Sequence, residues 1–269
     1  IRNDYTTIKL EEQDSWLTLW LNRPDTKNAL SEQMIKEIIT VLSLIEGNQS
    51  IRGLVLRGTN ECFCSGADLK DFKQNFLVEN ASRQKIVNIS KNMATLFKSI
   101  FTLPKPVISL VEGAAFAGGF GIACASDFVI SLPDTKFALT ETKIGLTPSQ
   151  ISKYIIRRLG YSAAKKLMLL GTVIDGSKGY DIGLVDYLAL GQNELEKVIT
   201  EVKSQVLECS PNAVAITKSI VSDLDNLSNY DLILILTPHS EFQEINFDNV
   251  TSLIFDSTGS FTISNADRL

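Results

Sequence analysis

The sequence contains a single histidine, His239, among its 269 residues. An enzyme built on a Ser-His-Asp or Cys-His arrangement would have to depend on that one side chain. A metal site with several histidine ligands is excluded. Acid–base chemistry in this protein is therefore expected to fall to a carboxyl group.

Cysteine is also scarce, with only Cys62, Cys64, Cys124 and Cys209. Four cysteines in apolar surroundings do not indicate a disulfide framework. The Cys62-Phe63-Cys64 segment lacks metal-ligand spacing, and no second cluster accompanies it. We expect no bound metal and a reducing compartment, which favours a cytoplasmic protein.

Two further features are missing, namely a long apolar run and an excess of positive charge. No uninterrupted run reaches the roughly 18 apolar residues of a membrane span, so no membrane partner is expected. The net charge of −5 provides no basic surface for nucleic acid. The first residues, Ile1–Asp4, do not form a signal peptide, and a removed N-terminal segment remains open because the chain begins with Ile1.

The segment 111–125, VEGAAFAGGFGIACA, is rich in Gly and Ala and nearly free of charge. It follows a β-branched run, Val107–Val111, and is interpreted as strand, glycine turn at Gly118-Gly119, and buried helix. A turn without Cβ atoms lets a ligand approach the backbone. The helix start presents free N–H groups that suit an oxyanion. An ordinary packing turn in an α/β core explains the same residues.

A second small-residue turn follows another predicted strand. The run 51–56 is typical of a core strand, and FCSGADL at 63–69 is interpreted as a second strand and turn. Two such turns can bring two backbone N–H groups to one point. A simple loop connection is the alternative.

The rest of the chain alternates between strand and helix patterns, which predicts an α/β domain. Residues 1–190 are assigned to the core, and 191–269 to a C-terminal helical region with an atypical tail. The polar segment 70–80 is predicted to be a loop. Strands are predicted at 16–21 and 127–132, and helices at 31–45, 81–101, 147–160, 162–171, 193–208 and from Ser210-Pro211.

Five motifs in order, NRPDTKNAL, FCSGADL, VEGAAFAGG, FALTETKIGL and IGLVD, resemble the enoyl-CoA hydratase/isomerase (crotonase) superfamily over residues 16–221. The resemblance implies a spiral of ββα units with two roughly perpendicular sheets and a C-terminal helical region. It implies a homotrimer or dimer of trimers. It also implies an acyl-CoA thioester substrate, with coenzyme A as the carrier and no other cofactor.

The resemblance also assigns binding residues. The thioester oxygen would be held by the backbone N–H groups of Ala67 and Gly118. Coenzyme A would contact the turn Lys27–Ala29 and the backbone of Ala67, Asp68 and Leu69. A structural role is favoured for the Asp68 side chain, as a helix cap or first-turn residue.

Glu141, in LTETKIG, stands where the family has its proton-transferring glutamate. The second glutamate of two-glutamate hydratases is replaced by Gly121. A buried carboxyl group at residue 141 is expected to have a raised pKa. One carboxylate is compatible with a hydratase or with an isomerase that moves a proton between C2 and C4, and a non-catalytic acyl-CoA binding protein stays open.

The amino-acid sequence around Glu141 is most similar to that of methylglutaconyl-CoA and isohexenylglutaconyl-CoA hydratases, which act in leucine and acyclic terpene breakdown. This similarity favours the hydratase. Lys143 is then a candidate partner for a distal carboxylate, with a solvated turn lysine as the preferred alternative. Asp186 is a candidate pocket residue with a structural role preferred, and Gln150 is a candidate to hold water. The tail 231–269 is β-like and departs from the family's closing helix.

Overall fold

The computed structural model describes residues 4–68 and 83–222, and also the backbone of three short strands in the tail. The chain forms two compact units, Ile1–Ile216 and Thr217–Leu269. The predicted boundary after residue 190 falls inside the first unit. Predictions for Leu69, the loop 70–80 and His239 lie outside the described residues.

A six-stranded sheet forms the centre of the first unit, in the order β1-β2-β3-β4-β6-β9. Within this sheet of the described chain, only the β1–β2 pair is antiparallel. A smaller sheet has the order β5-β7-β8. The strands are β1 Ile8–Gln13, β2 Trp16–Leu21, β3 Gly53–Gly58, β4 Val107–Val111, β5 Ala114–Phe116, β6 Phe128–Ser131, β7 Lys136–Ala138, β8 Val173–Asp175 and β9 Tyr187–Leu188.

Seven α-helices surround these sheets or follow them in the described chain. They are α1 Glu32–Glu46, α2 Arg83–Thr102, α3 Gly118–Ala125, α4 Ser152–Leu170, α5 Gly176–Asp181, α6 Gln192–Glu208 and α7 Pro211–Ser222. Short 3₁₀ helices occur at Pro24–Thr26 and Glu141–Ile144. None of the described helices combines the length and hydropathy needed to cross a membrane.

Three strands lie in the second unit, and the β-like pattern of the tail agrees with them. They are β10 Leu232–Ile235, β11 Leu253–Asp256 and β12 Ala266–Asp267. The three strands pair in parallel in the order β10-β11-β12.

Two apolar clusters fix the first unit, one on each side of the large sheet. The larger cluster joins α1, α2, α3 and α4 through side chains such as Met34, Phe97 and Tyr154. The smaller one packs Ile199 and Val202 of α6 against the sheet. Burial on both faces explains why the parallel strands are apolar runs rather than alternating ones.

Local signals predicted several elements correctly. Ser31 caps α1, because its Oγ accepts a hydrogen bond from the Met34 N–H at 3.2 Å. The strands at 16–21 and 107–111 match the prediction. Residues 63–67 do not form the predicted strand, since Cys64 and Ala67 make only single bridges, to Ala115 and Leu30.

The predicted helix start at Thr147 is wrong. Helix α4 begins at Ser152, and the Pro148 carbonyl accepts hydrogen bonds from the N–H groups of Ile151 and Ser152 in a turn before it. Gly160 has φ 71° and kinks α4, so the predicted break between two helices is present. A residue with a Cβ would resist this backbone conformation.

Glu37 ties the N-terminal segment to α1. Its carboxylate accepts hydrogen bonds from the backbone N–H groups of Thr6 and Thr7, at 3.0 Å and 2.9 Å, and from both hydroxyl groups. Burial by itself raises the pKa of Glu37, but the hydrogen bonds from Gln33, Thr7 and Thr6 outweigh it and lower the pKa to about 2. The carboxylate therefore stabilises the folded protein in its ionised form.

We expect Glu37→Gln to lower the free energy of unfolding at pH 7 by about 3 kcal/mol, the value that corresponds to this pKa shift. The wild-type contribution is present above pH 4.5 and lost as the pH falls towards 2, so the difference should shrink by pH 3. Urea unfolding at both pH values measures it, with exposed Glu46→Gln as the control. A constant difference between wild type and variant would contradict the assignment.

Candidate active site

A cavity of about 440 Å³ lies where the two predicted turns meet. Most of its described wall is apolar, and its lining contains Glu141 as the only carboxylate and no Lys, Arg or His among the residues described. The lining residues are Ser65, Ala67, Ile89, Ser90, Met93, Phe97, Ala117, Gly118, Thr140, Glu141, Ile144, Leu146, Thr147, Pro148, Ser149, Gln150 and Ile151.

The first of these turns, in the segment FCSGADL, leaves one backbone N–H without a hydrogen-bond acceptor. Leu30 donates its N–H to the Gly66 carbonyl at 2.8 Å, and Asp68 donates to the Leu30 carbonyl at 3.1 Å. The groups on either side of Ala67 are thereby fixed. No described residue accepts a hydrogen bond from the Ala67 N–H, and Ala67 lines the cavity.

The second turn leads into α3. Ala117 has φ 48°, and its N–H donates to the Ala138 carbonyl at 2.9 Å. Gly118 is the first residue of α3, where an N–H has no acceptor within the helix. In the described part of the chain nothing accepts the Gly118 N–H, which lies at the positive end of the α3 dipole.

The two turns touch each other. A Cβ atom placed on Gly66 would lie 2.9 Å from the Ala117 Cβ and 3.7 Å from the Gly118 nitrogen. The Phe116 N–H donates to the Cys64 carbonyl at 2.9 Å, and holds the segments together. The unused N–H groups of Ala67 and Gly118 therefore belong to one wall of one cavity.

Glu141 begins the 3₁₀ helix Glu141–Ile144 and is half-buried. Its Oε2 is buried and has no hydrogen-bond partner among the described residues. Burial raises the pKa of Glu141 above its ordinary value of 4.5, and a hydrogen bond from its own backbone N–H offsets part of that rise. A carboxyl group in this setting binds and releases protons closer to neutral pH.

Gly121 leaves no space for a side chain. A Cβ atom there would lie 2.3 Å from Ile151 Cγ2 and 3.0 Å from Phe97 Cε1. The packing of these two apolar side chains gives a physical reason for glycine, which the sequence could show only as a departure from the family pattern.

The predicted turn Lys27–Ala29 is anchored by a residue that sequence reasoning did not single out. Asn28 is fully buried; its Oδ1 accepts from the Arg23 N–H at 2.8 Å, and its Nδ2 donates to the carbonyls of Thr59 and Cys62. Lys27 and Asn28 both have positive φ, which Asn tolerates better than most residues. The sequence signal that could have indicated this anchoring role is the presence of an Asn inside a turn motif.

Arg23 connects this turn to the first cavity turn. Its Nη1 lies 2.8 Å from Asp68 Oδ2 and donates to the Ala29 carbonyl at 2.6 Å. Asp68 is only 6% exposed. Its side chain therefore holds Arg23, which agrees with a structural role. The predicted helix-cap role involves residues after Asp68 that lie outside the described ranges.

Two further candidates are not among the described residues of the cavity wall. Lys143 is exposed and lies beside Gly171, where an added Cβ would be 3.1 Å from its Cε. Asp186 accepts a hydrogen bond from the Val129 N–H at 2.7 Å and pairs with Arg158. Gln150, in contrast, lines the cavity. No group of three or more His, Cys, Asp or Glu residues suited to a metal occurs within the described ranges.

Comparison with known proteins identifies the family of the chain. The enoyl-CoA hydratase/isomerase family model matches residues 11–231. The enoyl-CoA hydratase ACTT6 of Alternaria alternata is 28% identical over 245 residues, which are 88% of this chain and 79% of that protein.

Two solved structures share the fold. AtuE of Pseudomonas aeruginosa gives a TM-score of 0.79 at 34% identity, covering 82% of this chain and 84% of that one. An enoyl-CoA hydratase/isomerase from Marinobacter aquaeolei gives 0.77 at 35% identity, covering 81% and 83%. The fold is thus the expected crotonase-like α/β fold with a helical C-terminal region, and the chain belongs to the enoyl-CoA hydratase/isomerase family.

Proposed function

We propose that this protein is an enoyl-CoA hydratase, which adds water reversibly across the C2=C3 bond of a 2-enoyl-CoA thioester. One observation carries the proposal: two unused backbone N–H groups and one half-buried carboxyl group line the same apolar cavity. This combination suits a reaction in which negative charge develops on a carbonyl oxygen while a proton moves nearby.

The N–H groups of Ala67 and Gly118 bind the thioester oxygen in this proposal. When oxygen adds to C3, the π electrons of the C2=C3 bond move towards the thioester and form an enolate. Fixed N–H groups in an apolar cavity stabilise that charge without reorganising, and the N-terminus of α3 adds its dipole.

Glu141 moves the proton. Its carboxylate takes a hydrogen from water as the hydroxyl group bonds to C3, and the resulting carboxylic acid returns that hydrogen to C2. The net change is one water added, and Glu141 returns to its ionised form. The raised pKa of Glu141 suits a group that must act first as a base and then as an acid.

Coenzyme A is assigned to the turn Lys27–Ala29 and to the backbone of Ala67 and Asp68, which Asn28 and Arg23 hold together. Leu69, the remaining expected contact, lies outside the described residues. An acyl chain branched at C3 stays within the proposal. Among the described residues, the wall contains no cation and does not include Lys143.

Self-association as a homotrimer or dimer of trimers is part of the same proposal. Large apolar side chains are exposed on α4, with Tyr161 at 69%, Leu169 at 66% and Leu170 at 55%. Exposed apolar side chains grouped on one element support a protein–protein contact. Sedimentation of the purified protein measures its size.

An isomerase that shifts a 3-enoyl-CoA to a 2-enoyl-CoA is the second candidate. Its specific support is the packing of Phe97 and Ile151 at Gly121, which leaves Glu141 as the only carboxylate in the described wall. A single carboxylate can take a proton from C2 and return it at C4 without water.

We expect the protein to hydrate crotonyl-CoA and longer 2-enoyl-CoA esters, seen as a loss of the absorbance of the conjugated thioester. The same panel should include 3-methylglutaconyl-CoA and a 3-enoyl-CoA. Conversion of the 3-enoyl ester alone, without uptake of water, would replace the hydratase by the isomerase. Binding of all esters with no turnover would leave a non-catalytic acyl-CoA binding protein.

A further inference from the structure

We propose that Gln150, held by Ser90, is a positioning residue for the water molecule that adds to the acyl chain. This inference rests on the proposed hydratase function and deepens it. Glu141 can accept one hydrogen of the water, but a second contact is needed to aim the oxygen at C3. The Gln150 carboxamide is the polar side chain of the described wall that is fixed at both ends.

The two hydrogen bonds of Gln150 fix its orientation. Its Nε2 donates to Ser90 Oγ at 3.0 Å, and its Oε1 accepts from Ser149 Oγ at 3.1 Å. All three residues line the cavity. A carboxamide has two N–H donors and an oxygen with two lone pairs, so one donor and one lone pair remain for a water molecule.

Ser90 and Gln150 line the same cavity as Ala67, Gly118 and Glu141. Ser90 lies three residues before Met93 on α2, which is about 4.5 Å along the helix. The Met93 Cε is 3.9 Å from the position that a Cβ would occupy on Gly118. Gln150, which is hydrogen-bonded to Ser90, precedes Ile151, whose side chain packs against Gly121 in the helix α3 that begins at Gly118.

Two other hydroxyl groups in the wall, those of Ser65 and Thr147, are less suited to the task. The Ser65 hydroxyl donates its hydrogen to the Thr26 carbonyl at 3.0 Å, so this hydrogen is not available to a water molecule. Thr147 is exposed. A neutral carboxamide also leaves the proton transfer to Glu141, because it accepts one water hydrogen without removing it. The water oxygen then retains a lone pair for C3.

The decisive variant is Gln150→Met, which keeps the length of the side chain and removes both polar atoms. With crotonyl-CoA, whose short acyl chain has no polar group for Gln150 to bind, kcat for hydration should fall about tenfold or more. KM and the Kd of saturated butyryl-CoA, measured by calorimetry, should change less than about twofold. Gln205→Met, at an exposed position of α6, is the matched control and should change none of these values.

Ser90 provides a second test that leaves Gln150 in place. Ser90→Ala frees the carboxamide and should reproduce part of the loss in kcat, whereas Ser90→Thr keeps the hydroxyl group and should restore it. If Gln150→Met does not fold, this pair answers the question by the same measurements. Isomerisation of a 3-enoyl-CoA, where the protein catalyses it, should be unaffected because that reaction needs no water.

Failure of this inference differs from failure of the proposed function. A wild-type protein that binds butyryl-CoA but hydrates nothing would remove the hydratase proposal and this inference with it. Wild-type hydration that Gln150→Met and Ser90→Ala leave unchanged would overturn the inference alone. An equal loss in kcat and in butyryl-CoA affinity would also overturn it, because it would indicate a structural role.

Discussion

Glu141→Gln should lower kcat for hydration about 100-fold or more, because glutamine cannot take or return a proton. The side chain keeps its size, so the Kd of butyryl-CoA should stay nearly constant. Glu46→Gln, at the exposed end of α1, is the matched control and should behave as wild type. Stopped-flow or steady-state loss of the enoyl absorbance measures the rates.

The pH dependence gives an independent check on Glu141. Because burial raises its pKa, the acid limb of kcat/KM should lie above pH 4.5. The same burial means that the ionised carboxylate destabilises the fold at neutral pH, so Glu141→Gln should raise the Tm at pH 7 rather than lower it.

A Glu141→Gln variant as active as the wild type would remove Glu141 from the mechanism.

Gly66→Ala should produce the second large loss, again about 100-fold in kcat, by pushing the two turns apart. Gly66 has φ 98°, and an added Cβ would lie 2.9 Å from the Ala117 Cβ and 3.1 Å from the Phe116 carbonyl oxygen. The turn that carries Ala67 must then move away from Gly118. Loss of one aligned N–H donor typically costs 100-fold to 1,000-fold, to order of magnitude.

The control for Gly66→Ala must carry the same backbone strain without the contact. Gly183 has φ 78° and no atom within 4 Å of an added Cβ. Gly183→Ala should therefore lose about 1 kcal/mol of stability and keep its activity. Equal rates for the two variants would show that the distance between the turns does not govern catalysis.

Elements with strong local signals were predictable. The Ser31 cap, the apolar face of α1 and the β-branched run Val107–Val111 depend on neighbouring residues, and each lies where the pattern put it. The start of α4 was missed because Pro148 suits a turn as well as a first helical turn. The segment around Cys64 was misjudged because a strand needs a partner, and only single bridges form there.

The residues of the candidate site also divide into those that sequence motifs indicated and those that they did not. Its motifs selected Ala67, Gly118 and Glu141, which all line one cavity, and their catalytic roles stay a prediction. Lys143 and Asp186 lie within the motifs FALTETKIGL and IGLVD but make contacts outside the described cavity wall. Residues that support the site, such as Asn28 and Arg23, act through partners more than thirty residues away and carried little sequence signal.

By itself, the sequence determined the chemistry that is available. One histidine and few cysteines left the carboxyl groups, and two glycine-rich turns after strands offered backbone N–H donors. Only the tertiary structure decided which of these groups meet. Contact between the Gly66 turn and the start of α3, the burial of Glu141 and the filling of the space at Gly121 by Phe97 and Ile151 are long-range packing results. Local periodicity cannot encode them, because each depends on the distance between segments that are far apart in the chain.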